Sequence, residues 1–499
     1  MKYILTSEQM KSCDRYNIAS FISSIDLMEL AGKRCFEAIK PYIKKDSKIL
    51  IVAGSGGNGG DGYVIARYAQ EENYDVEVFS FGNHHSEENL INKSRFAGFF
   101  TKNLEKYKDN NDLIIIDALL GNGQNKALSD EYNSLIKKMN SLNGFKISID
   151  MNSGINSSSG EALGEYFVSD LTLAIGEFKT GHYFNEGINA YKKLIKIDID
   201  LKFQDECSYA KTLDLIDLKM FFKKRKSNTN KGDYGRVALI GGSKLTPGAV
   251  EISLNALLSL RTGVGYSLIC VPESLYNLYA LRNPENIYAT IKDDNGRIIF
   301  DKEVLDKLLN YDAIALGMGC GVSEDIYKII AYLLSNFKGN LLLDADALNM
   351  VSKYGVDIFK KHQCNLIITP HLKEFERLSK VKIADLKKDY IGYAKEFAKK
   401  YNLIINLKNN ISVITDGNET YLNINGNAGL AKGGSGDFLS GLTLGLINKS
   451  DDLVKRVASA AYLLGKSEEV TTENINEYSV LARDISDSII KVINEIYQK

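Results

Sequence analysis

One segment near the C-terminus, GNAGLAKGGSGDFLSGL (Gly426–Leu442), combines a glycine-rich turn with a carboxylate. Gly433, Gly434 and Gly436 allow the backbone to turn its N–H groups inward, and a helix is predicted to begin at about Asp437. Such a turn binds anions, and Asp437 would repel a phosphate unless its role is to accept a proton from a hydroxyl group. An anion-binding turn beside a base is what phosphoryl transfer to an alcohol requires. We favour this interpretation over a glycine turn with a simple aspartate cap.

Further candidates for the same chemistry follow other predicted strands of this half. Lys408 ends one strand, from which it can reach a nucleotide phosphate. His371 follows another strand, where Pro370 restrains the backbone. Asp344 and Asp346 follow a third strand, and they either orient a magnesium ion through water or cap the next helix; the sequence leaves both alternatives open. Glycine-rich turns in ALIGGSKLTPGAVE and ALGMGCG follow two more strands.

The first half carries its own glycine-rich segment, VAGSGGNGGDGYVIAR, in which Gly54, Gly56 and Gly59 form a G-x-G-x-x-G pattern. A dinucleotide-dependent dehydrogenase also needs a carboxylate about 20 residues further on, at the end of the second strand, to hold the ribose. That strand ends in Phe81–Asn83 and lacks the carboxylate. Because Asp61 would also repel a pyrophosphate, the sequence disfavours a dehydrogenase.

Oxygen-bearing side chains follow the strands of this first half instead. Asn58 lies in the glycine-rich segment, Asp117 in LIIIDALLGNG, and Asp150 and Ser153 in KISIDMNSG. Ligands of parallel sheets gather at the carboxyl ends of the strands, so we expect these residues to lie together. Amide, carboxylate and hydroxyl oxygens suit a hard cation better than zinc or copper.

Both halves alternate short apolar strands with amphipathic helices, which predicts α/β domains with parallel sheets covered on both faces. In the first half, strands are predicted at Lys48–Ala53, Asp75–Phe81, Leu113–Asp117, Phe145–Asp150, Leu171–Gly176 and Leu194–Ile197, and helical segments at Ser7–Tyr16, Gly62–Glu71 and Ser129–Met139. In the second half, strands are predicted at Arg236–Ile240, Tyr266–Val271, Ala313–Leu316, Leu341–Asp344, Leu366–Thr369 and Leu403–Leu407. A hairpin with an Asp416-Gly417 turn follows.

The chain of 499 residues is too long for one ordinary core, so two or three domains are expected. The α/β pattern dissolves between residues 203 and 231, where a basic cluster at Lys223–Lys226 is interpreted as a solvated connector. We therefore predict domains at residues 1–207 and 208–499.

The composition, 44% hydrophobic with a formal net charge of −1, is typical of a globular protein and provides no electrostatic argument for nucleic acid or anionic membranes. No apolar run approaches the ~20 residues of a membrane span, and the N-terminus lacks a signal-peptide core. The scattered cysteines indicate free thiols in a reducing cytoplasm. They are Cys13, Cys35, Cys207, Cys270, Cys320 and Cys364.

The segments GSGGNGGDG, DALLGNG, DMNSG and LAIGEFKTGHYFNEG resemble the YjeF N-terminal domain family, the NAD(P)H-hydrate epimerases, over roughly Ile4–Asp200. The resemblance implies a Rossmann-like three-layer αβα domain that interconverts the R and S forms of hydrated NADH or NADPH at the hydroxyl-bearing ring carbon. It also implies a potassium ion held by Asn58, Asp117 and Ser153. The implied substrate contacts are Gly57, Asn58, Gly59, Gly60, Asp61, Gly121, Asn122, Gly123, Gln124, Asn125, Lys126, Ala127 and Asp150.

Within this family resemblance, Asp150 is the expected general acid–base residue, and Lys179 is expected to steady negative charge. The chain departs from the usual family pattern at two places. Asn152 stands where the family usually has proline, and NGQNKAL replaces an arginine-containing segment.

The segments KGDYGRVALIGGS, GAVEISLNALLSLRTGVG, NPENI, LGMGCG, DADAL, TPHLKE and GGSGD resemble the ribokinase-like YjeF C-terminal domain, the nucleotide-dependent NAD(P)H-hydrate dehydratases, over about Leu213–Ile496. The implied reaction phosphorylates the ring hydroxyl, which leaves as phosphate and regenerates NADH or NADPH. The hydrated nucleotide would contact Ala249, Gly321, His371 and the catalytic Asp437. The adenine nucleotide would contact Lys408, Asn409, Asn410, Ile411, Ser412 and Gly436.

Together the two resemblances imply metabolite repair by a bifunctional, cytoplasmic, homo-oligomeric enzyme that uses potassium, magnesium and ADP, with ATP as the alternative phosphate donor. The epimerase would return the epimer that the dehydratase does not accept. One rival interpretation is a small-molecule kinase of the ribokinase type, because the segment around Asp437 would be the same. Another is that the N-terminal half is a non-catalytic binding module.

Overall fold

The computed structural model of the protein describes residues 2–108, 110–204, 209–255 and 261–498. It divides into two compact units. The N-terminal unit runs from Tyr3 to Tyr209 and includes Lys387–Asp389, and the C-terminal unit comprises Ala210–Leu386 and the chain from Tyr390 onward. Cys207 and the boundary predicted after residue 207 lie outside the described residues, so the exact boundary stays a prediction.

The N-terminal unit alternates strands and helices as the sequence predicts. Its strands are β1 (Lys2–Leu5), β2 (Lys48–Ala53), β3 (Asp75–Ser80), β4 (Phe99–Phe100), β5 (Leu113–Ala118), β6 (Phe145–Ile149), β7 (Ser169–Ile175), β8 (Phe178–Lys179) and β9 (Tyr191–Ile197). Its helices are α1 (Ser7–Ser20), α2 (Ser24–Ile39), α3 (Gly57–Glu71), α4 (Glu87–Arg95) and α5 (Asp130–Ser141).

A parallel sheet of order β4-β3-β2-β5-β6-β7-β9 forms the centre of this unit. Alternate residues of β2 enter two different hydrophobic clusters: Ile49 and Ile51 belong to one, and Leu50 and Val52 to the other. Because successive side chains of a strand point to opposite faces, both faces of the sheet are covered. The three-layer αβα prediction for this half is confirmed.

The glycine-rich segment of this unit differs from the sequence prediction. Helix α3 begins at Gly57 rather than at Gly62, so Asp61 lies in the second turn and does not cap the helix. A Cβ on Gly62 would lie 2.7 Å from the Cβ of Ala118 on β5. Close packing on the sheet therefore overrides the low helix propensity of the glycines, because a larger side chain would not fit between helix and sheet.

The C-terminal unit has the larger sheet. Its strands are β10 (Ala210–Thr212), β11 (Arg236–Ile240), β12 (Tyr266–Pro272), β13 (Ile287–Ile291), β14 (Asp293–Asp294), β15 (Arg297–Ile298), β16 (Ala313–Leu316), β17 (Asn340–Leu343), β18 (Asn365–Ile368), β19 (Ile404–Leu407), β20 (Ser412–Thr415) and β21 (Thr420–Asn423). Its helices are α6 (Pro247–Asn255), α7 (Tyr276–Ala280), α8 (Lys302–Leu308), α9 (Glu324–Asn336), α10 (Asp346–Tyr354), α11 (Leu372–Ser379), α12 (Ile383–Leu386), α13 (Tyr390–Tyr401), α14 (Ser435–Leu446), α15 (Leu453–Thr472) and α16 (Ile485–Gln498).

The strands β13-β12-β11-β16-β17-β18-β19 run parallel, and β20 and β21 extend the sheet as the predicted antiparallel hairpin. Buried side chains of α14, α15 and α16 pack with strand residues in one core cluster. The parallel order brings the carboxyl ends of β11, β16, β17, β18 and β19 to one edge, where ligands bind in such sheets. In the part of the chain that the structure describes, no helix combines the length and apolar character needed to cross a bilayer.

Candidate active sites

A cavity of about 850 Å³ opens at the carboxyl ends of the central strands of the N-terminal unit. A cavity of this size suits a small-molecule ligand. Its lining includes most of the residues predicted for substrate contact and catalysis: Gly57, Asn58, Asp61, Gly121, Asn122, Gly123, Gln124, Asn125, Lys126, Ala127, Asp150 and Lys179. The structure thus brings together four parts of the chain, around residues 57–61, 121–127, 150 and 179, that are far apart in the sequence.

Two of the predicted substrate contacts do not line this cavity. Gly59 is buried inside α3, where a Cβ would lie 1.9 Å from the Gly54 carbonyl oxygen. A Cβ on Gly60 would lie 2.4 Å from the Sδ of Met28 on α2. These glycines instead allow α3 to pack closely against its neighbours, which determines where Gly57 and Asn58 face the cavity.

Asp150 is held at the cavity wall in a left-handed backbone conformation, with φ of 66°. Its carboxylate accepts hydrogen bonds from the Lys179 ammonium, from the Asn122 amide at 3.1 Å and from the Ile175 amide at 3.3 Å. Lys179 is 1% exposed and also donates to the Ile175 carbonyl oxygen at 2.6 Å. Each of these three partners is a donor, and together they engage both oxygens of the Asp150 carboxylate.

His182 contacts the backbone of both Asp150 and Lys179. Its Nδ1 accepts a hydrogen bond from the Lys179 amide at 3.0 Å, and its Nε2 lies 2.9 Å from the Asp150 carbonyl oxygen. Burial, with the Lys179 charge in addition, lowers the pKa of His182 to about 4. The ring is therefore neutral at physiological pH, and its Nε2–H donates to Asp150.

The predicted cation ligands form a buried cluster next to the cavity. The Asp117 carboxylate is 0% exposed and accepts hydrogen bonds from the Ser153 hydroxyl at 2.6 Å and the Ser148 hydroxyl at 2.8 Å. Burial raises the pKa of Asp117, and the hydrogen bonds from Ser153 oppose that rise. Asn58 donates to the Leu120 carbonyl oxygen at 3.0 Å, whereas its own Oδ1 is buried and has no partner among the described residues. An unpartnered buried oxygen beside hydroxyl, carboxylate and carbonyl oxygens fits a hard cation.

Asn152, where the resembled family usually has proline, is 1% exposed. Its side-chain amide donates to the carbonyl oxygens of Phe167 at 3.0 Å and Ala190 at 2.8 Å, and its Oδ1 accepts from the Thr172 hydroxyl. These bonds hold the chain between Asp150 and Ser153 in place by side-chain contacts.

Helices α1 and α2 form one wall of this cavity, which was not predicted from the sequence. Met10, Lys11, Asp14 and Ile18 of α1 and several α2 residues line the cavity. Their spacing, i, i+1, i+4 and i+8, is the signal of one helical face, but nothing in the sequence indicates that this face meets the strand ends.

In the C-terminal unit, Asp344 and Lys408 form an ion pair at the carboxyl ends of β17 and β19, with Nζ and Oδ1 2.8 Å apart. The other carboxylate oxygen of Asp344 accepts a hydrogen bond from Ser440 on α14 at 2.6 Å. Asp346 accepts from the Gly321 amide at 2.9 Å. Neither carboxylate caps α10 among the described residues, since the N-cap position is Ala345 and has no side-chain bond.

The glycine-rich turn and Asp437 lie next to this pair. Gly434 takes a left-handed conformation, with φ of 98°, and α14 begins at Ser435. The N–H groups of Gly434, Gly436 and Asp437 have no acceptor among the described residues, so they are free to bind an anion. A Cβ on Gly436 would lie 3.4 Å from the Lys408 Nζ, so the lysine charge adjoins the turn.

The Asp437 carboxyl has no hydrogen bond or ion pair with the described residues. Burial, with the charges of Asp344 and Asp346 in addition, raises its pKa to about 7, although Lys408 opposes the rise. A carboxylate with a pKa near the working pH is well suited to accept a proton.

The remaining predicted contacts surround the same edge. Ala249 and Gly319 are packed together, because a Cβ on Gly319 would lie 2.9 Å from the Cβ of Ala249. Gly321 has φ of 75° and open space where a Cβ would stand. The predicted adenine-nucleotide contacts Asn409, Asn410 and Ile411 form the turn between β19 and β20, and Ser412 begins β20.

His371 has a structural role as well as a place at this edge. Its Nδ1 accepts hydrogen bonds from the Lys373 and Glu374 amides at 3.1 and 3.2 Å and so caps α11. Its side chain is 50% exposed, and its backbone bridges to Lys408. Burial, with the Lys408 charge in addition, lowers the pKa of His371. The other ring nitrogen, Nε2, lies 3.5 Å from the Glu374 Oε1 and does not take part in the helix cap.

The fold and this edge define the C-terminal unit as a ribokinase-like domain. It is similar to a ribokinase-like superfamily protein from Enterococcus faecalis, at 24% identity and a TM-score of 0.51 over 60% of this chain and 99% of that chain. It is also similar to the ADP/ATP-dependent NAD(P)H-hydrate dehydratase from Bacillus subtilis, crystallised with ATP and Mg²⁺, at 29% identity and a TM-score of 0.50 over 57% of this chain and 99% of that chain. The NAD(P)H-hydrate dehydratase family model matches residues 237–491, about half of the chain. The chain belongs to that family.

The comparisons extend to the N-terminal unit. The model of the YjeF-related protein N-terminus matches residues 24–181. A bifunctional NAD(P)H-hydrate repair enzyme of Dictyoglomus turgidum is 28% identical over 99% of both chains. The enzyme of the same description from Archaeoglobus fulgidus is 28% identical over 97% of this chain and 96% of its own. The predicted combination of the two domain families on one chain is confirmed.

Proposed function

We propose that the protein repairs hydrated NADH and NADPH through two activities on one chain. The N-terminal unit epimerises the R and S forms of the hydrate. The C-terminal unit dehydrates the S form to NADH or NADPH and consumes a phosphate from ADP, or alternatively ATP, so that AMP or ADP and phosphate are released. The observation that carries the proposal is the unpartnered Asp437 carboxyl beside free backbone N–H groups and the Lys408 ammonium.

In the dehydratase step, Asp437 accepts the proton of the ring hydroxyl while that oxygen takes a phosphoryl group from the nucleotide. The N–H groups of Gly434 and Gly436 and the Lys408 ammonium stabilise the negative charge on the transferred group. The phosphate then leaves with the bonding electrons as the lone pair of the ring nitrogen forms a C=N bond. Loss of a proton from the adjacent ring carbon to solvent then forms the C=C bond of NADH or NADPH and returns the electron pair to nitrogen. Ala249, Gly321 and His371 are proposed to hold the hydrated nucleotide.

The adenine nucleotide is proposed to lie against Lys408–Ser412 and Gly436. The Asp346 carboxylate at the same edge is suited to hold a magnesium ion through water, because its Oδ2 is bonded only to the Gly321 amide among the described residues. Such an ion supplies charge neutralisation for the nucleotide phosphates.

In the epimerase unit, Asp150 is proposed as an acid–base residue, and Lys179 steadies its charge. The contacts Gly57–Asp61 and Gly121–Ala127 are proposed to bind the substrate, with Gly59 and Gly60 acting through the packing of α3. Asn58, Asp117 and Ser153 are proposed to hold potassium, which would supply a fixed positive charge at this site. A cytoplasmic location and a homo-oligomeric state remain predictions from sequence.

The test incubates the protein with mixed hydrate epimers, ADP or ATP and magnesium, and follows both epimers, reduced nicotinamide and inorganic phosphate. Asp437→Asn is expected to abolish dehydration of both epimers and leave epimerisation intact, whereas Asp150→Asn is expected to prevent consumption of the R form only. Release of a stable phosphorylated acceptor instead of phosphate would indicate a small-molecule kinase. If Asp150→Asn epimerises the hydrate as fast as the wild type and still binds ligand, the N-terminal unit is a non-catalytic binding module.

A further inference from the structure

Helix α1 presents one face to the epimerase cavity. Met10, Lys11, Asp14 and Ile18 line it, and Asp14 is the only carboxylate among these four. The spacing of four residues between Met10, Asp14 and Ile18 places them in one row along the helix. Asp14 is therefore part of the cavity wall, although it precedes every segment that resembles a substrate-binding motif.

The position of α1 is fixed relative to Asp150. The Ser7 hydroxyl donates to the Asn122 carbonyl oxygen, and the Asn122 side-chain amide donates to the Ser7 carbonyl oxygen at 3.2 Å. The backbone amide of the same Asn122 donates to the Asp150 carboxylate at 3.1 Å. On the helix, Asn17 exchanges hydrogen bonds with the backbone of Lys202 at 2.9 Å in both directions. Asn122 thus anchors the first residue of the helix that carries Asp14, and the same Asn122 bonds to Asp150.

The two carboxyl groups differ in their surroundings. Asp150 is occupied by the Lys179 ammonium and two backbone amides. Asp14 has no hydrogen bond or ion pair with the described residues. Burial raises the pKa of Asp14 to about 6, with Lys179 opposing the rise and Asp150 adding to it. Asp14 therefore exchanges a proton close to neutral pH.

Epimerisation at a hydroxyl-bearing carbon next to a ring nitrogen requires proton transfer on both faces of the ring. A carboxyl proton passes to the departing hydroxyl, and the C–O bond breaks as the nitrogen lone pair forms a C=N bond, so that water leaves. Water then adds to the other face, its proton passes to a second carboxylate, and the π electrons return to nitrogen. The proton moved from one carboxyl to the other is returned through solvent.

We propose that Asp14 is the second catalytic acid–base residue of the epimerase cavity and that it acts on one face of the ring while Asp150 acts on the other. The inference rests on the proposed epimerase function.

Two other carboxyl groups line the cavity, Asp61 and Glu88. Glu88 differs from Asp14 in that it already accepts a hydrogen bond, from the Ser24 hydroxyl at 2.9 Å. Burial raises the pKa of Asp61 well above its usual value, with Asp150 and Asp14 adding to the rise, so Asp61 is less suited to act as a base.

The test measures epimerisation of purified R hydrate to S hydrate by the full chain in the absence of nucleotide, from pH 5 to pH 8. Asp14→Asn keeps the shape of the side chain and is expected to lower kcat by 10²-fold or more with a smaller change in KM. The bend of the wild-type profile near pH 6 is expected to vanish, and Asp14→Glu is expected to restore part of the rate. The charged groups that share the cavity are Lys11, Asp61, Glu88, Lys126, Asp150 and Lys179.

Glu8→Gln is the matched control, because Glu8 lies on the same helix but pairs with Arg15 at the surface. It is expected to retain the wild-type rate and profile. The inference would be overturned if Asp14→Asn had the same epimerisation rate and pH profile as Glu8→Gln. It would also be overturned if Asp14→Asn were slower but kept the bend of the pH profile near pH 6. Wild-type protein that leaves R hydrate unchanged would instead refute the proposed epimerase function, and equal thermal unfolding of the variants excludes a folding defect.

Discussion

The Lys408 ammonium and the Asp344 carboxylate, 2.8 Å apart, join the ends of two strands, β19 and β17, that are separated by β18. Asp344 is 1% exposed, and its second oxygen is bonded to Ser440 on α14, the helix that carries Asp437. The ion pair thus ties the sheet edge to the helix that bears the proposed base.

Breaking this ion pair is expected to destabilise the C-terminal unit. Lys408→Met leaves the Asp344 carboxylate buried without its counter-charge, which costs about 3 kcal/mol. Adding Asp344→Asn removes the uncompensated charge, so the double variant is expected to regain part of the lost free energy of unfolding. Dehydratase activity is expected to stay lost, because the Lys408 ammonium is still missing. Urea unfolding and the dehydratase assay measure the two effects separately.

The control for this cycle is the exposed pair Lys302 and Asp306, one turn apart on α8. Lys302→Met is expected to change the free energy of unfolding far less than Lys408→Met does, because solvent screens the exposed pair. If Lys408→Met lowers the free energy of unfolding no more than Lys302→Met does, the buried pair does not stabilise the protein.

The rate of dehydration is expected to rise with pH between about 6 and 8. Asp437 accepts a proton only when ionised, and its pKa is raised to about 7. Below that pH the carboxyl is protonated and inactive as a base. A pH profile of kcat/KM for S hydrate with saturating nucleotide measures the effect, and a flat profile over this range would exclude Asp437 as the base.

The same pKa shift predicts a pH-dependent difference in stability. The unfolded carboxyl ionises near pH 4, whereas the folded one holds its proton to about pH 7, so ionisation disfavours the folded state. Wild type and Asp437→Asn are expected to differ least below pH 4. The variant is expected to gain relative stability as the pH rises to about 7, and thermal unfolding at pH 4, 6 and 8 checks the trend. A constant difference across that range would show that Asp437 titrates normally.

Potassium is expected to stabilise the N-terminal unit against heat. The buried Asn58 Oδ1 has no partner among the described residues, so a cation beside it supplies one. Potassium at ten times its dissociation constant is expected to add about 1.4 kcal/mol. Thermal unfolding in KCl and in choline chloride, followed by circular dichroism, measures this, and Asn58→Ala should remove the difference.

Asn143→Ala is the control for the potassium experiment, because Asn143 is exposed and bonds only to the Lys108 carbonyl oxygen among the described residues. It should keep the full response to KCl. An equal response of wild type and Asn58→Ala would exclude Asn58 as a potassium ligand.

Gly59→Ala is expected to destabilise the N-terminal unit by about 1–3 kcal/mol or more, because the new Cβ would lie 1.9 Å from the Gly54 carbonyl oxygen. Gly57→Ala is the matched control, since its Cβ would meet only the Met28 Cε at 3.9 Å. Urea unfolding should show a loss for Gly59→Ala and a small change for Gly57→Ala. Equal effects would mean that helix propensity, rather than packing against Gly54, determines stability at Gly59.

The sequence by itself determined the α/β class, the central strands and the residues at their carboxyl ends. Strands such as Lys48–Ala53 and Arg236–Ile240 were predicted with the observed bounds, because apolar runs between polar turns are a local signal. Asp117, Asp150, Asp344 and Lys408 follow such runs, so their places at the sheet edges could also be derived.

Only the tertiary structure decided how these residues are partnered. Helix α3 begins at Gly57 because it packs on β2 and β5, although isolated glycines disfavour a helix. The pairing of Asp344 with Lys408 depends on strand order, and the entry of Asp14 into the cavity depends on where α1 docks. Contacts between residues far apart in the chain are set by packing and burial, which no local pattern of residue types records.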